Sequence, residues 1–187
     1  MSKILRVNMT DRTATYEDVP EKYKFLAGRG LTSTVIYDEV DPTCHPLGPN
    51  NKLVFAPGIV TGTNAASSGR ISVGAKSPLT GGIKESNAGT RWPQLVARLG
   101  IKAIVVEGYP EGAGWWGLHV TKDGVEFFPA DEYVGGEEFD AVFGNVQPPP
   151  AVAFGVALDD DGLDPQSGDQ LRPAGASVRL LDAAGEG

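Results

Sequence analysis

Apolar and polar positions alternate along KILRVNM and again, after the polar DRT, along ATYEDV, which predicts an N-terminal β-hairpin. Pro20 then opens PEKYKFLA, a short helix whose first turn tolerates the missing N–H. Gly28 and Gly30 punctuate the chain before LTSTVIYDEV. That run is rich in β-branched residues and ambiguous by period, but Leu31, Val35 and Ile36 share one helical face, so it reads as helix. The proline-rich DPTCHPLGPNN is a surface connection. KLVFAPG predicts a short apolar strand, RISVGAK an alternating one, SPLTGG a turn, and WPQLVARLG an amphipathic helix closed by Gly100. KAIVVEG is continuously apolar, the signature of a central strand covered on both faces. GLHVTKDGVEFFP predicts a second hairpin turning at Asp123-Gly124, and EEFDAVFG begins another helix.

The pattern ends near residue 147. Beyond it Ala, Gly, Asp and Pro dominate without a sustained period, so residues 147–187 are expected to be a flexible tail, or a segment foreign to the native coding sequence of the kind a frame change or truncated gene leaves. The chain has 187 residues, enough for one real core with a small appendage. Its net charge is −8, and the segment from Pro150 onward carries −5 of it, leaving a nearly neutral body with no basic stripe for nucleic acid. No apolar run approaches the roughly 20 residues of a membrane span, and the N-terminal apolar run is too short for a signal sequence. A soluble, cytoplasmic protein that binds neither nucleic acid nor membrane is expected.

Cys44 is the only cysteine, which excludes an internal disulfide and any zinc or iron–sulfur site built from this chain's thiolates alone. His45 and His119 are isolated, with no metal-binding spacing. No G-x-S-x-G elbow occurs, and no catalytic residue is assigned. Against this background the stretch SSGRISVGAKSPLTGGIKESNAG, residues 67–89, gathers glycine and positive charge in an acidic chain. Backbone N–H groups of glycine-rich turns converge on anions, Arg70 offers a planar fork for phosphate oxygens, and Lys76 and Lys84 add point charge. An anion seat and a plain set of strand-connecting turns both satisfy these residues, since neither a Walker sequence nor a dinucleotide fingerprint is present.

ILRVNM, LAGRGL, YDEVDPTCHPLGPNNKLVFAPGIVTGT, SGRISVGAKSPLTGGIKESNAG and KAIVVEG together resemble, in order, the tungsten-pterin aldehyde ferredoxin oxidoreductase family over about residues 3 to 135. K-S-P-L-T-G, with Arg70 six residues before its lysine and Asn87-Ala88-Gly89 eleven after it, is a compound signature. The resemblance implies an α+β fold of two antiparallel β-sheets with internal duplication and short helices, forming a saddle for a tungsten bis-pterin cofactor. It implies a tungstopterin-seating N-terminal domain over 1–146, incomplete relative to the family, before the 147–187 tail.

By the same resemblance Arg70 reaches toward the pterin, and the main-chain carbonyl of Asn87 helps hold a magnesium ion bridging the pterin phosphates. Gly89 allows close approach, and Ala88 and Lys76 complete the cofactor-binding set. The complete enzyme oxidises an aldehyde to a carboxylic acid and passes electrons through a [4Fe-4S] cluster to ferredoxin. The family's cluster cysteines are absent from this sequence, as is its Arg-Ala-Gly-Arg-Gly-Gly type loop, of which RPAGAS at 172–177 is a faint echo. The chain alone is therefore expected to be inactive, completed by remaining domains or by a subunit carrying the cluster. A non-catalytic scaffold that kept the fold and lost the cofactor, and a generic phosphate-ligand binder, stand as alternatives.

Overall fold

The computed structural model describes residues 2–89, 91–109 and 116–130, and the backbone of the strands Phe154–Leu158 and Ala176–Leu180. Two compact units are present, each built on one sheet.

The first unit contains β1 (Lys3–Asn8), β2 (Thr13–Asp18), α1 (Gly28–Glu39), β3 (Leu53–Pro57), β4 (Ile71–Lys76), β5 (Ile83–Ala88), α2 (Trp92–Arg98) and β6 (Ile101–Glu107). Its strand order is β2-β1-β6-β3-β4-β5. The N-terminal hairpin forms as the alternation predicts, and its turn is closed by the Asn8 side chain, whose Oδ1 accepts from the N–H groups of Thr10 and Asp11 at 2.9 and 3.3 Å. Strand β6 lies between β1, to which it is parallel, and β3, to which it is antiparallel. Ala103, Ile104, Val105 and Val106 are all buried, as a strand covered on both faces requires.

The two covering layers are the helices. Leu31, Val35 and Ile36 of α1 pack with Ile4, Val54, Ala56, Ala103 and Val105 on one face. On α2 the buried side chains are Trp92, Pro93, Leu95 and Val96, and Trp92 meets Phe55 of β3 edge-on with ring centroids 6.2 Å apart. Gly100, at φ 75°, ends the turn after α2. Helix α1 begins at Gly28, so the glycines expected to punctuate the chain lie in its first turn. The helix expected at PEKYKFLA is a single 3-10 turn, Glu21–Tyr23, with Pro20 before it. Burying Tyr23 and bonding its hydroxyl to Asp38 at 2.8 Å fixes that turn, while Phe25 is left 87% exposed.

The sequence pattern did not predict β5. It is an edge strand with no continuous apolar face, so the usual two-residue alternation is missing from IKESNA.

The second unit has β7 (Trp116–Val120), β8 (Val125–Pro129), β9 (Phe154–Leu158) and β10 (Ala176–Leu180) in the order β10-β9-β7-β8. The predicted β7–β8 hairpin forms with Gly124 at φ 155°, and the Phe128 ring covers its cross-strand partner Gly117 so closely that a Cβ there would lie 2.2 Å from Phe128 Cζ. Strands β9 and β10 fall inside the segment expected to be a tail. FGVAL and ASVRL are five-residue runs with apolar side chains at alternate positions, enough to extend the sheet from β7; averaging composition over the whole segment hid them. The other tail residues and the helix expected at EEFDAVFG lie outside the described residues.

Pairing is antiparallel except for one parallel pair in each sheet, β1–β6 and β7–β9. In both, the first strand of an edge hairpin pairs in parallel with a strand that is antiparallel to a fourth, β3 or β10. Two sheets and few helices make the fold α+β. Among the described residues no helix is long and apolar enough to cross a membrane.

A part-buried charge network ties the end of α1 to the sheet. Arg6 donates to both oxygens of Glu39, at 2.8 and 3.1 Å, and Lys52 bridges Glu39 and Glu107 at 3.0 and 2.5 Å. Burial pushes the Glu39 carboxyl up, but the hydrogen bonds and charges of Arg6 and Lys52 together outweigh it and hold the carboxyl below its usual range. A depressed folded value means that this stabilisation is complete above the unfolded value of roughly 4.3 and disappears as pH falls through the folded one. The melting temperature is therefore expected to hold from neutrality to about pH 4.3 and to fall below it. Glu39→Gln should lose about 2 kcal/mol at neutral pH and flatten the acid limb. A second prediction concerns Gly74, where a Cβ would lie 2.8 Å from Thr32 Cβ of α1. Gly74→Ala forces helix and strand apart and should cost about 2 kcal/mol by chemical denaturation.

Candidate functional site

The loop from Gly58 to Arg70 leaves β3 and returns to β4 on its own backbone clamps. The Gly58 N–H donates to the Arg70 carbonyl at 3.0 Å. The buried Thr61 Oγ lies 2.6 Å from the Ser68 carbonyl and 3.0 Å from that of Arg70, sharing one proton between two acceptors. The main chain of Arg70 is thus held from behind while its side chain is exposed. Among the described residues no carboxylate or carbonyl meets the Arg70 guanidinium.

Among the described residues most other cations of this unit are engaged, Lys84 and Arg98 excepted. Lys3, Arg6, Lys22, Lys24, Arg29 and Lys52 meet carboxylates, and Lys102 donates to the Lys24 carbonyl. An unpaired, fork-shaped cation on a fixed backbone is equipped to take two oxygens of an anion.

The register brings the other candidates to the same place. Ile71 pairs with Ala88 and Ser72 with Asn87, so Arg70 and Gly89 flank the end of the β4–β5 ladder. A Cβ at Gly89 would meet, among the described residues, only the Gly69 carbonyl, at an ordinary 3.7 Å. The protein's own packing does not require glycine there, in contrast to Gly74 and to Gly62, whose Cβ would lie 2.8 Å from that of Ala97.

Backbone direction follows from the alternation of hydrogen bonding along an antiparallel strand. Arg70 turns its carbonyl toward β3, and the Ser77 N–H reaches Gly82 on the β5 side. Ser72 therefore faces β3 with its polar main-chain groups, and Ser72–Asn87 is a non-hydrogen-bonded pair. The N–H and C=O of Asn87 consequently point out from the outer edge of β5, which no strand pairs among the described residues. Across the pair the Ser72 hydroxyl donates to Asn87 Oδ1 at 3.2 Å.

Lys76 does not join this group. Six residues along the strand place it about 20 Å from Arg70. Strand alternation turns it, with Ser72 and Gly74, under α1, where it is 7% exposed and its ammonium donates to the carbonyls of Pro42 and Cys44 at 2.6 Å each. The lysine of the K-S-P-L-T-G signature closes the 41–44 loop onto the sheet, so the structure does not bring it together with Arg70 and Asn87, the residues it was expected to join. His45 is likewise a loop residue, its Nδ1 accepting from the Leu47 N–H at 3.2 Å. Thr61 and Ser72, which hold the site from behind, sit in runs of small residues; only the pairing register marks them. Among the described residues no three His, Cys, Asp or Glu side chains gather as a metal site.

Comparison with known proteins gives the group a context. Residues 4–143 match the family described as "Aldehyde ferredoxin oxidoreductase, N-terminal domain". The tungsten-containing aldehyde ferredoxin oxidoreductases of Pyrococcus abyssi and Thermococcus kodakarensis are each 38% identical over 135 residues, which is 71% of this chain and 22% of theirs. That of Pyrococcus furiosus is 41% identical over 111 residues, covering 58% of this chain and 18% of its own. Among solved structures, the active site complex BamBC of benzoyl coenzyme A reductase with 1,5-dienoyl-CoA superposes with a TM-score of 0.69 at 26% identity, over 75% of this chain and 22% of that one. The matched region spans about a fifth of the length of these curated relatives. With its profile matched across most of its length, the chain belongs to the aldehyde ferredoxin oxidoreductase family, an oxidoreductase family, and corresponds to its N-terminal domain.

Proposed function

We propose that this chain is the cofactor-seating domain of a tungsten- or molybdenum-pterin aldehyde:ferredoxin oxidoreductase, with Arg70, Asn87, Ala88 and Gly89 as the seat. The observation that carries this reading is the Arg70 guanidinium, unpaired among the described residues and fixed beside the end of the β4–β5 ladder in a unit where most other cations are engaged. The names of the tungsten-containing relatives support the choice of guest. When bound, the metal–pterin group supplies the two-electron oxidation of an aldehyde to a carboxylic acid, with electrons passing through an iron–sulfur cluster to ferredoxin.

The donor set fits a phosphate-bearing, flat ligand. Arg70 takes phosphate oxygens through charge-assisted hydrogen bonds, and the outward carbonyl of Asn87 is a hard oxygen ligand for a magnesium ion on those phosphates. Ala88 and Gly89 keep the approach to the main chain clear. The role of this chain is binding and orientation. With a single cysteine in 187 residues it relies on other domains or a complementing subunit for the cluster, and alone it does not turn over aldehyde.

In the complete enzyme Arg70→Ala should lower bound tungsten and pterin, measured by elemental analysis and by fluorescence of the oxidised pterin, by about tenfold or more while circular dichroism is unchanged. Undiminished metal and pterin content would remove Arg70 from the seat. Gly89→Ala should leave the melting temperature of the cofactor-free protein within about a degree of the unaltered one, because a Cβ there meets, among the described residues, only the Gly69 carbonyl at 3.7 Å. The same substitution should lower cofactor retention.

A further inference from the structure

Asn87 is the penultimate residue of an edge strand, and among the described residues no neighbouring strand holds it on its outer side. Such a position frays unless a second anchor fixes it. The anchor on the inner side is Ser72, which is 5% exposed and whose hydroxyl donates to Asn87 Oδ1 at 3.2 Å. Ser72 is itself fixed in the middle of the β3-β4-β5 ladder, and Gly28 at the start of α1 closes over it, a Cβ there falling 3.5 Å from Ser72 Oγ. The two residues form a non-hydrogen-bonded pair, the arrangement in which facing side chains approach most closely.

We infer that Ser72 is a positioning residue: its hydroxyl, held beneath α1, clamps the Asn87 side chain and thereby fixes the Asn87 main-chain carbonyl at the free edge of β5 for a magnesium–phosphate ligand. The inference rests on the seat proposed above and adds a residue that touches neither ligand nor metal. Its consequence is particular. Because the ligating atom is a backbone carbonyl, Asn87→Ala keeps that atom and loses only the clamp, so deleting either end of the Ser72–Asn87 bond has one and the same effect.

The test is a calorimetric titration of the full 187-residue chain with magnesium pyrophosphate, comparing Ser72→Ala, Asn87→Ala, the double variant, Ser72→Thr and Arg70→Ala. Losing one net hydrogen bond's worth of positioning predicts about three- to tenfold weaker binding for Ser72→Ala and for Asn87→Ala. The double variant should be no weaker than either single one. Ser72→Thr, which keeps the hydroxyl, should bind like the unaltered chain, an outcome that loss of packing does not produce.

Additive losses in the double variant, failure of threonine to rescue, or unchanged binding by Ser72→Ala overturns the inference. If Arg70→Ala weakens binding while Ser72→Ala does not, only this inference falls. If the unaltered chain does not bind magnesium pyrophosphate, or Arg70→Ala binds it equally well, the seat itself is wrong and the inference falls with it.

Discussion

Helix α1 lies directly on the backbone of β4, and the absence of a side chain at Gly74 is what lets it approach so closely, with Thr32 filling the space a Cβ would take. That contact sorts the residues of RISVGAK. Those on the helix side, Ser72, Gly74 and Lys76, are sealed under α1. A lysine in such a place needs acceptors, and the 41–44 loop folds over to supply two carbonyls. Arg70 comes before the strand proper, beyond the cover of the helix, and its charge stays exposed.

The electrostatics of the first unit follow the same division between anchored and available charge. Arg6, Lys52, Glu39 and Glu107 form a compact network at the end of α1, each charge met by an opposite one. Pairing of this kind holds elements in register, because separating any member leaves a partly buried charge without compensation. The 67–89 stretch works differently. Neutral hydroxyls anchor it, Thr61 on the main chain at Ser68 and Arg70 and Ser72 on the Asn87 side chain, and the Arg70 charge faces outward. A backbone held by neutral groups presents a cation to a ligand without an internal carboxylate competing for it.

Edge position is the second half of the arrangement. An open strand edge is an association hazard in most proteins, since it offers unpaired N–H and C=O groups. At β5 the strand carries Lys84 and Glu85 where a hydrophobic edge would invite pairing with another chain. Lys84 and Glu85 do not share a face, so charge is present on both sides of the exposed strand.

Much of this was legible in the sequence. The two hairpins, the central strand KAIVVEG, both helices and the compound signature around K-S-P-L-T-G follow from short-range period, turn chemistry and spacing, which the chain specifies locally. The family resemblance over about residues 3 to 135 rested on the order of the quoted motifs, and the family match over residues 4–143 agrees with it. Local pattern fails where the environment is set by partners far along the chain. IKESNA has no apolar face because it is an edge strand, FGVAL and ASVRL gain their conformation from β7 and from each other, and a lysine spaced like a ligand is turned away by the pleat and hydrogen-bonded by a loop more than thirty residues earlier. The sequence by itself determined which residue types could seat an anion. Only the tertiary structure, through register and through the helix laid over one face of β4, decided which of them are left free to do so.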